Sequence, residues 1–516
     1  MRIGLCSIYA FRPHVEHLAY LAHVLEASGH TLSFLTCDAA APMCYSRLLR
    51  GQSRIRGCVS CIAGGVRGYP LGPTMRFQQT TGTEDVRERL AEMAWSTIYS
   101  VRRLDVPADQ AGDAALRDLE ALIPGMEYAY WSTRRWIEAD RLEAVICFNG
   151  RIDLTRAIVA GCQDVGLPFA SYERAWLGQG IQIIPNENCL SRIARNRIVT
   201  AFRGAPLGLS QARNAARSIA SRFLPSNTAE WRLYNAKSPR VTWPAKGSGR
   251  RVLILPSSRS EVRGHPEWDL DWPDYPDAFD EVLATIQAHP SDCVLRCHPG
   301  WAERIGRFSA LSADMHYASW ARRRGMHVIS SGERVRTTDL IQQSDVVLVG
   351  GSTAAVEAGF LGKSVICVGP SMYQSAGLGV HIATRAQLCD ADTVGDCVGR
   401  DMIRRTLRYV YSEGYRCPQY VNFVRATDAF RYLYFSGGDG NRLTEMLRTG
   451  VLAPDDTFEA SDLTGEDEVL ECIAEQNWEQ LAHIEKCSDR PPEMINRTLW
   501  LRWIDRFREA FPVGDR

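Results

Sequence analysis

The stretch "DVVLVGGSTAAVEAGFLGKSVICVG", from Asp345 to Gly369, joins two short apolar runs through a glycine-rich turn and an alanine-rich segment. This pattern is typical of two buried parallel strands connected by a helix. Doubly wound sheets bind ligands beyond the carboxyl ends of their strands, where backbone N–H groups at a helix start suit phosphate. Glu357 lies one helical turn beyond Thr353, within reach of a ribose diol. The stretch therefore predicts a nucleotide-diphosphate site, although a tight turn packed with small residues would show the same pattern.

The composition indicates an ordinary globular protein. The chain has 516 residues, 45% of them hydrophobic and 23% charged, and its formal net charge is zero. This length exceeds what one hydrophobic core normally supports, and the zero net charge gives no reason to expect a nucleic-acid partner. The start "MRIGLCSIYAF" lacks the pattern of a secretory signal, and no run reaches the roughly 18 apolar residues of a spanning helix. We therefore expect a cytoplasmic protein whose sixteen cysteines are thiols or metal ligands.

Alternation of short apolar runs with amphipathic segments predicts an α/β fold with two doubly wound, Rossmann-like domains that face a cleft. Residues 1–224 form the predicted first domain, with a cysteine-rich insertion at 37–75. Residues 225–250 are rich in Pro, Gly, Ser and Asn and are the predicted linker. The second domain is predicted at 251–400, and a helical extension at 401–516.

Further polar residues follow other predicted strands of the second domain. Arg259 and Glu261 follow "RVLILPSS", His298 ends the strand in "RCHPG", and Ser331 comes after "MHVIS". Because carboxyl ends of parallel strands meet at one edge of a sheet, we expect these side chains to converge on one crevice. The candidate donor-binding residues are Arg259, His298, Ser331, Thr337, Thr338, Gly351, Ser352, Thr353 and Glu357.

The stretch "DLIQQSDVVLVGGSTAAVEAGFLGKSVICVG", together with "RCHPG", resembles the donor-site segment of GT-B fold glycosyltransferases. The resemblance covers about residues 1–400 and is greatest to the enzymes that assemble bacterial capsule and O-antigen polysaccharides, including the Kdo-transferase type. "ICFNGRIDLTRAIVAGCQDVGLPFASYER" (146–174) is similar to the N-terminal halves of those proteins. The resemblance implies sugar transfer from a UDP-, GDP- or CMP-linked donor to a surface glycan, without a catalytic metal. It places Asn149, Arg151 and Arg174 on the acceptor side.

Sugar transfer needs a base or charge stabiliser near the acceptor hydroxyl. His14, Glu16 and His17 follow the first strand, and because His14 and His17 share one helix face, at most one of them is the base. Glu173, at the end of a later strand, is the alternative. An inverting reaction is the expectation; in a retaining one, Glu261 could face the anomeric carbon.

Four cysteines, Cys37, Cys44, Cys58 and Cys61, have the spacing C-x6-C-x13-C-x2-C. A closing C-x2-C suits tetrahedral thiolate binding of zinc, and an iron–sulfur cluster uses the same ligands. Unligated thiols or one oxidised pair are the alternatives. We expect a structural zinc that holds the insertion together.

Seven arginines and no acid lie between Arg192 and Arg222. They predict either a solvated helical face or a basic surface for anionic lipid or a diphosphate-linked acceptor. The terminal "LWLRWIDRFREAF" has the aromatic and basic residues of an interfacial helix, or of a helix that docks on the main body. These features favour a glycan or lipid-linked acceptor at the inner face of the cytoplasmic membrane. A sugar-nucleotide 2-epimerase of the same fold, or a non-catalytic module that binds nucleotide or glycan, are the alternative functions.

Overall fold

The computed structural model describes residues 1–69, 72–80, 82–224, 234, 238–244, 247–395 and 398–482. Most of the predicted linker and the whole terminal segment "LWLRWIDRFREAF" lie outside the described residues. Within those ranges, no helix is long and apolar enough to cross a membrane.

The first sheet has six strands in the order β3-β2-β1-β4-β5-β6, all parallel except β6, which pairs antiparallel with β5. Its two central strands are buried along almost their whole length because helices cover both faces. The strands are β1 (Arg2–Ser7), β2 (Thr31–Thr36), β3 (Thr74–Arg76), β4 (Ala144–Phe148), β5 (Phe169–Arg174) and β6 (Ile181–Pro185). The helices are α1 (His14–Ala27), α2 (Tyr45–Arg50), α3 (Arg54–Cys61), α4 (Glu84–Arg102), α5 (Asp113–Asp140), α6 (Asp153–Asp164), α7 (Ile193–Phe202) and α8 (Leu209–Ala220).

The second sheet has six parallel strands in the order β12-β11-β10-β7-β8-β9. The strands are β7 (Val252–Leu255), β8 (Cys293–Arg296), β9 (His327–Ile329), β10 (Val346–Val349), β11 (Ser364–Cys367) and β12 (Val380–His381). The helices are α9 (Tyr275–Thr285), α10 (Leu311–Arg323), α11 (Thr337–Gln343), α12 (Ala354–Phe360) and α13 (Gly399–Tyr411). Numbered within its own domain, each sheet has the order 3-2-1-4-5-6 of a Rossmann fold. The predicted fold class, two Rossmann-like domains in a GT-B arrangement, is confirmed.

Helix α8 precedes the linker but packs with the second sheet. Its apolar face, including Ala212, Ala216 and Ile219, belongs to the same buried cluster as Val347 and Val349 of β10. By its position in the chain, α8 falls in the predicted first domain, which ends at residue 224. By its packing, α8 belongs with the strands that come after the linker.

The C-terminal extension returns to the first domain and is not purely helical. It contains a two-stranded antiparallel hairpin, and it contacts α1, where Tyr20 Oη donates to the Phe435 carbonyl and Ser28 Oγ accepts from the Gly440 N–H. The elements are β13 (Val424–Ala426), β14 (Tyr432–Tyr434), α14 (Gly440–Thr449), α15 (Thr464–Ala474) and α16 (Trp478–Ala482). The prediction of a helical extension was therefore incomplete, because the strands are three residues each and too short to show a period of two.

Candidate functional site

A cleft of about 1140 Å³ lies between the two sheets. Its walls come from the carboxyl ends of β5, β7, β8 and β10, from α8, and from the C-terminal extension. Ligands of doubly wound folds bind at this edge of a sheet, so the cleft is the candidate active site.

The turn after β10 forms part of the cleft wall. Gly351 has φ +125°, and a Cβ there would lie 2.7 Å from the Pro370 carbonyl oxygen, so only glycine fits. Ser352 Oγ accepts from the Ala354 N–H at 3.3 Å, and Tyr373 Oη donates to the Ser352 carbonyl at 3.1 Å. These contacts fix the turn so that Ser352 and Thr353 line the cleft.

Glu357 lines the cleft one turn further along α12, where it forms an ion pair with Arg222. The carboxylate and guanidinium are 3.0 Å apart, and each side chain is only 10% exposed. Arg222 also lies over the ring of Trp176, 5.2 Å from its centroid. Sequence reasoning missed Arg222 as a site residue. The sequence does hold a sign of this wall. Asn214 and Arg217 on α8 and Ser221 directly after it are polar and spaced by three or four residues, which predicts one polar helix face.

The end of β8 contributes His298 to the cleft. Its Nδ1 accepts from the Gly300 N–H at 3.1 Å, which leaves the ring proton on Nε2. Thr337, at the start of α11, lines the same wall. Both residues therefore lie on the part of the cleft wall that the second domain contributes.

Four predicted donor residues do not line the cleft: Gly351, whose backbone shapes the turn, and Arg259, Ser331 and Thr338. Arg259 turns toward Asp274, at 3.7 Å, and lies over the ring of Tyr275. Ser331 is buried, and its backbone N–H donates to Asp314 Oδ1 at 2.6 Å. Thr338 lies on the buried face of α11, because consecutive residues of a helix point to different faces.

On the acceptor side, two predicted residues support the end of β4. Asn149 adopts φ +61° and its Nδ2 donates to Glu173 Oε2 at 3.0 Å. Arg151 donates to Ser96 and Ser100 on α4, each hydroxyl at 2.9 Å. Of the predicted acceptor residues, only Arg174 lines the cleft itself, and its guanidinium also donates to a carbonyl of the C-terminal extension.

His14 and Glu173 form a pair behind Arg174. His14 Nε2 is 3.0 Å from Glu173 Oε1, and the imidazole packs on Phe148 at 4.4 Å between ring centroids. Burial and the nearby Arg174 charge lower the pKa of His14 to about 3, and burial raises the pKa of Glu173. The imidazole is therefore neutral at pH 7. His14 Nδ1 is buried without a hydrogen-bond partner among the described residues.

His17 and Glu16 are not in the cleft. His17 is fully buried, its Nδ1 is 3.0 Å from Tyr434 Oη, and burial lowers its pKa well below the usual value. Glu16 forms an ion pair with Arg12 at 3.2 Å. The C-terminal hairpin covers this face of α1, which the sequence pattern of α1 could not indicate.

Glu261 is exposed on the cleft wall. Burial raises the pKa of Tyr45, the first residue of α2, and the charges of Glu261 and Glu173 make smaller contributions in the same direction.

The cysteine prediction gains no support. Cys58 and Cys61 lie on α3, Cys44 precedes α2, and all four are free thiols. Burial raises the pKa of Cys37 to about 11 and that of Cys61 to about 12. Over the ranges that the structure describes, no group of three or more His, Cys, Asp or Glu side chains could hold a metal ion. The zinc expectation was made from spacing alone.

The arginine-rich segment does not form one basic surface. Arg195 is buried against Glu413 at 3.4 Å, Arg192 lies over Trp268, and Arg213 pairs with Glu468 at 2.6 Å. The acids that pair with these arginines, such as Glu413 and Glu468, lie far away in the sequence. The segment taken alone therefore has an excess of positive charge.

No protein-family model and no curated protein matches this chain. Among solved structures, it is similar to the beta Kdo 2,4 transferase of Thermosulfurimonas dismutans KpsC, with 16% identity over 53% of this chain and 80% of that one, and a TM-score of 0.31. It is also similar to the spinosyn rhamnosyltransferase SpnG (14% identity, 80% and 95% coverage, TM-score 0.26). A third similar structure is the UDP-GlcNAc 2-epimerase of Methanocaldococcus jannaschii (10% identity, 87% and 100% coverage, TM-score 0.29). Identities and TM-scores this low do not assign a function to this chain, and the cleft alone carries the functional evidence.

Proposed function

We propose that this protein is a glycosyltransferase that moves a sugar from a nucleotide-sugar donor to a glycan acceptor during assembly of bacterial surface polysaccharide. The observation that supports this most directly is the cleft between two Rossmann-like sheets. One wall carries Ser352, Thr353 and Glu357, and the other carries Arg174 in front of the His14–Glu173 pair.

The donor half has the chemistry to hold a nucleotide. Hydroxyls of Ser352 and Thr353 and the Nε2–H of His298 donate to phosphate oxygens, and Glu357 accepts from ribose hydroxyls. Charge on the departing phosphate is then stabilised by side-chain donors and cations. Catalysis without a metal is part of this proposal.

On the acceptor side, Glu173 is the proposed general base of an inverting reaction, because burial raises the pKa of its carboxyl group and a base works best when its pKa is near the working pH. The Nε2–H of His14 donates to Glu173 Oε1 and orients the carboxylate, which takes the acceptor hydroxyl proton. The acceptor oxygen forms a bond to the anomeric carbon as the bond from that carbon to the phosphate oxygen breaks, and the nucleotide leaves. The neutral His14 imidazole remains the hydrogen-bond donor that holds Glu173 in place. Glu261 is the candidate to face the anomeric carbon if configuration is retained. A lipid-linked acceptor at the inner membrane face is the proposed setting.

The test is incubation with UDP-, GDP- and CMP-sugars and a surface-glycan acceptor, followed by measurement of nucleotide release. We expect release that depends on acceptor. Glu357→Ala should abolish donor binding, whereas Glu173→Gln should keep donor binding and slow turnover by about 10²- to 10⁴-fold. Glu26→Gln, an exposed carboxylate on α1, is the matched control.

Each other outcome identifies a different function. Epimerised sugar without net nucleotide release would identify a 2-epimerase, and binding without either product a non-catalytic module. If Glu357→Ala still binds every donor tightly, the assignment of the turn after β10 to the donor is wrong.

A further inference from the structure

One face of α8 and the turn that follows it form a polar wall of the cleft. The cleft is lined by Arg217, Ser218, Ser221 and Arg222, together with Ser352, Thr353, Ala354 and Glu357. The opposite, apolar face of α8 is anchored in the core of the second sheet. This wall therefore belongs to the same packed body as the turn after β10, and the two surfaces keep a fixed distance.

The charges on this wall exceed those of its acids. Arg217 donates to the neutral amide oxygen of Asn214 at 3.0 Å, and its Nε is buried with no hydrogen-bond partner in the part of the chain that the structure describes. Arg222 is paired with Glu357. Among the described residues of this wall, the guanidinium groups of Arg217 and Arg222 lie with one carboxylate, that of Glu357. This carboxylate, which is proposed to bind ribose, is already paired with Arg222.

We propose that this face of α8 binds the diphosphate of the donor, and that Arg222 exchanges Glu357 for a phosphate oxygen when the donor enters. The inference rests on the proposed function and narrows the donor class to nucleoside-diphosphate sugars. A charge that is 10% exposed is costly unless it is compensated. The diphosphate supplies a new anion to Arg222 and Arg217, and ribose hydroxyls supply donors to Glu357, so every charge stays compensated. The phosphodiester of a nucleoside-monophosphate sugar carries only one negative charge, whereas the diphosphate carries one for each of the two guanidinium groups.

Calorimetric titration of the full chain with inorganic pyrophosphate, orthophosphate, UDP, GDP and CMP tests this inference. Arg217→Gln and Arg222→Gln should each weaken pyrophosphate binding by about tenfold or more. Arg213→Gln is the control, because Arg213 lies on the same helix but pairs with Glu468 at the surface. Glu357→Gln should strengthen pyrophosphate binding, because Arg222 loses its competitor, while it weakens UDP or GDP binding.

These opposite signs for Glu357→Gln are the signature of the exchange. The double variant Arg222→Gln/Glu357→Gln buries no unpaired charge, so it separates loss of binding from loss of folding, and it should bind pyrophosphate as weakly as Arg222→Gln. The inference is overturned if Arg217→Gln and Arg222→Gln bind pyrophosphate like Arg213→Gln, or if the wild type prefers CMP to UDP and GDP. In both cases nucleotide binding by the wild type would leave the proposed function standing. A wild type that binds no nucleotide would refute the proposed function itself.

Discussion

The ion pair between Arg222 and Glu357 should contribute far more to stability than a surface pair of the same type. At 3.0 Å and an effective dielectric constant of about 20, the Coulomb attraction is roughly 5 kcal/mol. Desolvation of two nearly buried side chains offsets about half of it. In a double-mutant cycle with Arg222→Gln, Glu357→Gln and the double variant, we therefore expect a coupling energy of about 2–3 kcal/mol.

The matched control is the cycle for Arg213 and Glu468. These side chains are 2.6 Å apart, closer than the first pair, but they are 47% and 51% exposed. Their coupling should be below about 0.5 kcal/mol and should vanish in salt. The free energies come from urea unfolding of the full chain, followed by fluorescence and taken from the transition that unfolds the second domain. Equal couplings for the two pairs would refute the reasoning, because burial would then have no effect.

Two further predictions concern a backbone turn and a buried carboxyl group. Gly351→Ala should weaken nucleotide binding in titrations and lower the melting temperature, because the added Cβ would clash with the Pro370 carbonyl oxygen. Gly332→Ala is the control: its added Cβ would meet no heavy atom, so both quantities should stay unchanged. Burial raises the pKa of Asp153 from 3.8 to about 6, so the folded state binds more protons between these values and its stability falls as pH rises through them. Asp153→Asn removes this loss, and urea unfolding at pH 4 and pH 7 should show the variant gaining about 3 kcal/mol relative to the wild type; a pH-independent difference would contradict the assignment.

Much of the donor wall could be predicted because its signals are local. The apolar runs of β7, β8, β10 and β11 and the helix starts between them depend on neighbouring residues, and carboxyl ends of parallel strands always meet. Ser352 and Thr353, which line the cleft, were predicted in this way. Thr337 and Thr338 show the limit, since the pattern predicted both for the crevice and helix geometry places only one there.

Contacts between distant segments could not be predicted. His17 looked like a possible base until Tyr434, 417 residues further along the chain, occupied its ring nitrogen. The cysteines that follow β2 have a metal-like spacing, but in the part of the chain that the structure describes no three or more His, Cys, Asp or Glu side chains come together to hold a metal ion.

The sequence by itself determined the two Rossmann-like sheets and the glycine-rich turn, because strand and helix periods and the need for a positive φ are properties of a short stretch of chain. Only the tertiary structure decided that α8 packs with the second sheet and that Arg222 meets Glu357. Those outcomes depend on which apolar faces find each other, and segments far apart in the chain contribute to that choice together.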